Sequence, residues 1–140
     1  MSVRLAQTIP ALPVRAIGPA VEQYAEQFGF DVAHHEGGFA VLVRDDAVLH
    51  LWEASDESWR ERADLSQTPV CSGAESFIAG TASCRIAVDD PDALFAELSA
   101  HDHVLHKTSR DGVALTDFGS REFHVVDRDG NLLTFFRWET

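Results

Sequence analysis

The chain has 140 residues, enough for one domain or for two small modules sharing a core. Hydrophobic residues make up 45%, which argues against disorder, and 11 basic against 23 acidic side chains give a net charge of −12, which argues against a nucleic-acid binder and would favour a cationic ligand if it converged on a cleft. There is neither an apolar run of the roughly 18 residues a membrane span needs nor a signal-peptide h-region, so the expectation is a cytoplasmic protein that does not enter a membrane.

Residues 8–15, TIPALPVR, read as a short strand. Pro10 and Pro13 have no N–H for a ladder, which suits an edge. Gly18-Pro19 opens a helix, Val21, Tyr24, Ala25 and Phe28 form its buried stripe, and Gly29 caps it. Residues 30–35 form a strand, Gly37-Gly38 turns, and FAVLVRDDAVLHLW (39–52) reads as a hairpin. Residues 53–80 carry Trp59, Arg60-Glu61-Arg62 and the segment SGAESFIAG; they are too long for a plain connection and read as a lid or packing arm.

A second half begins near Thr81. SCRIAVDD (83–90) is a strand leading into a helix, with Asp90 as N-cap, Pro91 at the first helical position and Leu94, Phe95 and Leu98 as its stripe. Residues 104–107 are expected as a short strand and 108–121 as a loop with Phe118 beside Gly119. FHVVDRDGNLLTFF (123–136) closes the chain as a hairpin whose Gly130 and Asn131 supply the positive φ of a tight turn. Cys71 and Cys84 match no metal or redox spacing, and Cys84 reads as a small core residue.

The two hairpin stretches align without a gap, Phe39 with Phe123, Leu49 with Leu133 and Trp52 with Phe136. An internal repeat of this kind constrains a fold more than any single motif. The order β-α-β-β-β therefore occurs twice, about 8–52 and 81–138, joined by the linker 53–80 into one domain over 1–140. The expected class is α+β: helices pack on one face of each bent mixed sheet, and the other faces enclose a cleft.

Paired βαβββ modules, with IPALPVRAIGPAVEQY, FAVLVRDDAVLHL and SREFHVVDRDGNLLTFF as they stand here, resemble the vicinal oxygen chelate superfamily. The similarity is greatest to its bleomycin resistance proteins, which implies the glyoxalase/bleomycin resistance fold. In the superfamily's enzymes a metal sits on the first and last strands of each module; those positions here are Ile9, His50, Ser83 and Thr134. A divalent metal wants three or four His, Glu, Asp or Cys donors, and one histidine does not make a site. No cofactor is therefore expected. A rearranged pair, His50 with His124, is the alternative, and would suit a metal-dependent glyoxalase-like or dioxygenase-like lyase or isomerase.

His101, His103 and His106 share no fixed face and read as surface residues. Glu122 could act as a base, although beside Arg121 it reads as half of an ion pair. Strand parity gives the cleft lining: His50 brings Val48 and Trp52, Thr134 brings Phe136 and Trp138, and Ser83 brings Arg85 and Ala87. The resemblance adds Phe39 as a ligand-contacting aromatic and places Phe118 where relatives stack a ring on the drug's flat bithiazole tail. It also puts Arg85 where they carry a tryptophan, and an arginine there would repel a cationic tail. The expected function is metal-independent sequestration of an antibiotic or similar planar small molecule. The expected assembly is a homodimer with the cleft at its interface and N-terminal strands exchanged near Pro10.

Overall fold

The computed structural model describes residues 2–54, 58–69, 79–101 and 104–139. Cys71, His103 and most of SGAESFIAG fall outside these residues, as does the side chain of Trp59.

The first half comprises β1 (Ala11–Val14), α1 (Ile17–Glu26), β2 (Asp31–Glu36), β3 (Phe39–Arg44) and β4 (Ala47–Glu53). The second comprises β5 (Ser83–Ala87), α2 (Pro91–Leu98), β6 (Ala114–Leu115), β7 (Ser120–Val126) and β8 (Leu132–Trp138). Each half makes one four-stranded sheet, in the orders β1-β4-β3-β2 and β5-β8-β7-β6. The opening strand of each half runs parallel to the closing strand, and the remaining pairs are antiparallel, so both sheets are mixed.

Alternation along the strands decides what enters the core. In β4, Leu49 and Leu51 are fully buried while His50 and Trp52 turn the other way; in β8, Leu133 and Phe135 take the same inward positions. α1 buries Val21 and Tyr24 against the first sheet, Phe28 is buried just past its end, and the positive φ of 75° at Gly29 closes the turn with a Phe30 N–H to Tyr24 carbonyl bond. α2 starts as its sequence indicates: the Asp90 carboxylate accepts the Ala93 N–H at 3.0 Å, with Pro91 just inside. One hydrophobic cluster runs through both halves, joining Leu12, Tyr24 and Leu51 with Leu98, Phe123 and Leu133.

Three local expectations need correction. The gapless repeat is out of step by one residue across the turn. Leu42 pairs with Leu49 but Val125 pairs with Leu133, so the second connection is one residue longer. Phe123 consequently corresponds in facing to Ala40, and it is fully buried where Phe39 is 36% exposed. A one-residue slip moves every side chain to the opposite face.

The strand expected at 104–107 is reduced to a single bridge, Leu105 with Val125. The chain then coils into a short 3-10 turn at Lys107–Ser109, where the Ser109 hydroxyl accepts the His124 N–H at 2.8 Å and takes over a ladder bond. Pairing resumes as β6, inside what reads in sequence as loop, and β7 begins at Ser120 rather than at Phe123.

Only Gly130, at φ 101°, takes a positive φ in the second turn. Asn131 works through its side chain instead, donating to the Pro13 carbonyl and the Asp127 carboxylate and accepting the Ala82 N–H.

That turn locks the halves together. Asp127 accepts the Tyr24 hydroxyl at 2.8 Å and two backbone N–H groups of its own turn. Burial and the neighbouring Asp127 push the Tyr24 phenol well above its ordinary pKa. Asp129 accepts the Arg15 N–H at 3.0 Å, and Arg128 donates its own N–H to Gln23. Gly80, at φ 84°, passes so close to the Asp129 carbonyl that any side chain there would collide with backbone. Outside the turn, Arg44 joins the Phe28 carbonyl at the end of α1 to Glu97 on α2.

Candidate functional site

With the helices covering one face of each sheet, function falls to the open faces. On the first sheet this face carries Val41, Val43, Val48, His50 and Trp52, with Phe39 at its end. His50 lies between Ala11 and Val41 and meets the Phe39 ring edge-on at 5.0 Å. His34 of β2, beside Val41, tilts against the same Phe39 ring at 6.1 Å, so the middle of this face is apolar and two imidazoles flank Phe39.

The open face of the second sheet is different. Arg85 lies beside Thr134, Thr134 beside His124, and Glu122 beside Phe136. Arg85 Nη2 donates to Glu122 Oε2 at 2.8 Å, and the Ser120 hydroxyl donates to the same oxygen at 2.7 Å. Ser120 in turn lies 3.0 Å from the Thr116 hydroxyl. Burial alone would raise the Glu122 pKa; the bonds from Arg85 and Ser120 outweigh it and hold the carboxyl below its ordinary range. Thr134 is buried, and its hydroxyl is 2.7 Å from His124 Nδ1. Burial lowers the His124 pKa, against the pull of Glu122, whose Oε1 is 3.7 Å from Nε2. The imidazole is therefore neutral at pH 7.

Aromatic rings complete this face. The Arg85 guanidinium lies over Phe136 and farther from the Phe118 ring, and Trp138 meets both rings edge-on. Phe118 and Trp138 are 58% and 55% exposed, a large apolar area to leave in water. A shallow groove of about 410 Å³ runs along Ala87, Phe136 and Trp138. A hollow of about 490 Å³ lies on the helix side instead, floored by Phe28, Phe30 and Leu94 and rimmed by Asp45, Asp46 and Asp89.

The positions carried over as metal-binding do not converge on a donor set. Ile9 precedes β1, Ser83 pairs with Leu132, and Thr134 is committed to His124. His50 and His124 sit on different sheets, His50 against Phe39 and His124 against Thr134 and His106. Among the described residues no three His, Cys, Asp or Glu side chains form a group able to hold a metal ion. Cys84 faces the core, where burial pushes its thiol up to about 11, so it is no nucleophile at neutral pH.

Glu122 is the residue whose role the sequence reading misplaced. Its ion pair is with Arg85, while Arg121 turns to the helix side and pairs with Asp92. The charge of Arg85, which by itself would repel a cationic tail, is thereby neutralised. Strand parity held the signal, because adjacent residues in β7 must face opposite ways.

The family model described as Glyoxalase/Bleomycin resistance protein/Dioxygenase superfamily matches residues 4–135. A bleomycin resistance protein of Geobacillus stearothermophilus is 48% identical over 133 residues, which cover 94% of this chain and 96% of that protein. One from Staphylococcus aureus aligns to the same extent. The bleomycin-binding protein of bleomycin-producing Streptomyces verticillus, solved with copper(II)-bleomycin, superposes with a TM-score of 0.69 at 24% identity, covering 99% of this chain and all of that one.

Proposed function

The chain belongs to the glyoxalase/bleomycin resistance protein/dioxygenase superfamily, and on that premise we propose that it is an antibiotic-sequestering protein of the bleomycin resistance type. The observation that carries this is the 48% identity to bleomycin resistance proteins, spread over almost the full length of both chains. Sequestration needs burial of the drug and no reacting group, which agrees with Ile9, His50, Ser83 and Thr134 standing where metal donors would be required.

The ligand-binding residues are Phe39, His50 and Trp52 from the first sheet and Ser83, Arg85, Phe118, Thr134, Phe136 and Trp138 from the second. Glu122 joins them as the partner of Arg85. The modules at 8–52 and 81–138 act as one domain, supported by the buried contacts of the second turn with Tyr24 and Pro13. Two copies pair so that the open face of one covers that of the other, with N-terminal strands exchanged near Pro10. Exposed Phe39, Phe118 and Trp138 support this, since monomers rarely leave such rings in water. The site of action is the cytoplasm; none of the described helices is long and apolar enough to cross a membrane.

Isothermal titration with bleomycin tests the reading. The expected result is one drug per chain, with stabilisation of about 2.7 kcal/mol at a hundredfold excess over Kd. Bleomycin recovered unchanged by mass spectrometry completes it. No heat and no thermal shift, or a chemically altered drug, would overturn it. A monomer at micromolar concentration in sedimentation would remove the shared cleft.

A further inference from the structure

The slot on the second sheet already holds a flat cation, supplied by the protein itself. The Arg85 guanidinium carbon stands 4.5 Å from the Phe136 ring centre and 5.9 Å from that of Phe118. At its base Glu122, whose side chain is 8% exposed, holds the guanidinium at 2.8 Å. The Arg85 side chain is nevertheless 43% exposed and hangs on a flexible stem, so it can swing into solvent.

Resting on the reading of the chain as an antibiotic binder, we propose that this slot is a receptor for a flat organic cation, an amidinium or guanidinium group on the ligand, and that Arg85 is a built-in competitor which the ligand displaces. Aromatic faces select a flat group and favour a cation over them. The carboxylate makes the cation obligatory, because a neutral or anionic group that evicted Arg85 would leave Glu122 buried and uncompensated. Glu122 also has capacity to spare. Ser120 and Arg85 both bond Oε2, while the neutral His124 ring stands 3.7 Å from Oε1, beyond hydrogen-bond distance. Oε1 is thus available for the second prong of a two-pronged N–H donor.

Competition of this kind weakens binding in proportion to how rarely Arg85 vacates the slot, and sets a threshold that only well-matched ligands pass. Benzamidinium, titrated calorimetrically into the full chain, is the probe, with neutral benzamide as control. Arg85→Met should bind benzamidinium about tenfold more tightly than the wild type, the gain expected if the open conformer is about a tenth of the population. Glu122→Gln should abolish binding, and benzamide should bind none of the three. Arg85→Gln, which keeps a donor for Glu122, replaces the methionine variant if that one fails to fold; failure of both would show the pair to be structural and overturn the proposal. Equal affinity in wild type and Arg85→Met, or retained binding in Glu122→Gln, would overturn it too. Bleomycin titration of the wild type separates this outcome from the broader reading. Drug binding without the Arg85 effect sinks the competitor alone, and the Arg85 effect without drug binding sinks only the antibiotic.

Discussion

The turn of the first hairpin, Asp45-Asp46, lies in solvent, whereas the turn of the second buries Asp127, Asp129 and Asn131 against the other half of the molecule. The strands beside them read almost alike, yet Phe39 faces outward and Phe123 faces the core. One additional residue in the second connection accounts for the inversion. The same topology thus yields, on the first sheet, an open face of valines with His34 and His50 against Phe39 and, on the second, a face built on Arg85, Glu122 and His124. What distinguishes the halves is parity and burial at one turn, and neither shows in a residue-by-residue match.

Deleting Arg128 would break the contrast outright by giving the second connection the length of the first. Phe123 and Val125 would leave the core, at about 3 kcal/mol each, which approaches the whole stability of a small domain. The expected outcome is loss of a cooperative urea transition in circular dichroism; a folded variant would show that turn length does not set the register. Asp127→Ala comes next. It strands the Tyr24 hydroxyl, one N–H of the Asn131 amide and two backbone N–H groups, and is expected to lower unfolding free energy by about 3–5 kcal/mol. Asp45→Ala in the exposed turn leaves no buried group unpaired and is expected to cost only about 1 kcal/mol in the same urea transition, from the positive φ of 52° that Asp45 takes.

Glu122→Gln sharpens the comparison of the open faces. Because the folded carboxyl sits below its ordinary pKa, its stabilisation is present above about pH 4.3 and is lost as pH falls through the lowered value. The Tm difference between wild type and variant should therefore be constant near neutrality and shrink in acid. A difference that grows on acidification would contradict the pairing with Arg85. The smallest effect is expected at Glu97→Ala. Its bond to Arg44 is bidentate but half in water, and about 0.5–1 kcal/mol is expected, decreasing in high salt.

The fold was largely legible because its signals are local. The helical stripe of Val21, Tyr24 and Phe28, the Asp90-Pro91 start and the alternation of β4 and β8 each lie within a few residues. The register of β7 was not, since Phe39 and Phe123 are the same residue type in similar strings, and only the partner strand fixes which way each faces. The work of Asp127 and Asn131 was hidden too, because their partners Tyr24 and Pro13 are more than a hundred positions away. On the candidate site, parity located Arg85, Thr134, Phe136 and Trp138 on one face. The same parity puts Glu122 on that face and its neighbour Arg121 on the other, whereas adjacency in sequence suggests a pair between them. The strand at 104–107 failed because a serine hydroxyl substituted for part of the ladder, a tertiary contact with no local signature.

The burial of the second turn also bears on how the protein ages. Asp129-Gly130 is the kind of step at which an aspartyl carboxyl is attacked by the next backbone nitrogen, giving a succinimide and then isoaspartate. Here the Gly130 N–H is engaged with the Asp127 carbonyl at 3.1 Å, and Asp129 Oδ1 is pinned by Arg15. Neither reactant is free to approach the other. Of the chain's two Asp-Gly steps, Asp111-Gly112 has its aspartate in solvent, whereas Asp129-Gly130 is stored where the two halves meet, and its decay should proceed at the rate of their opening.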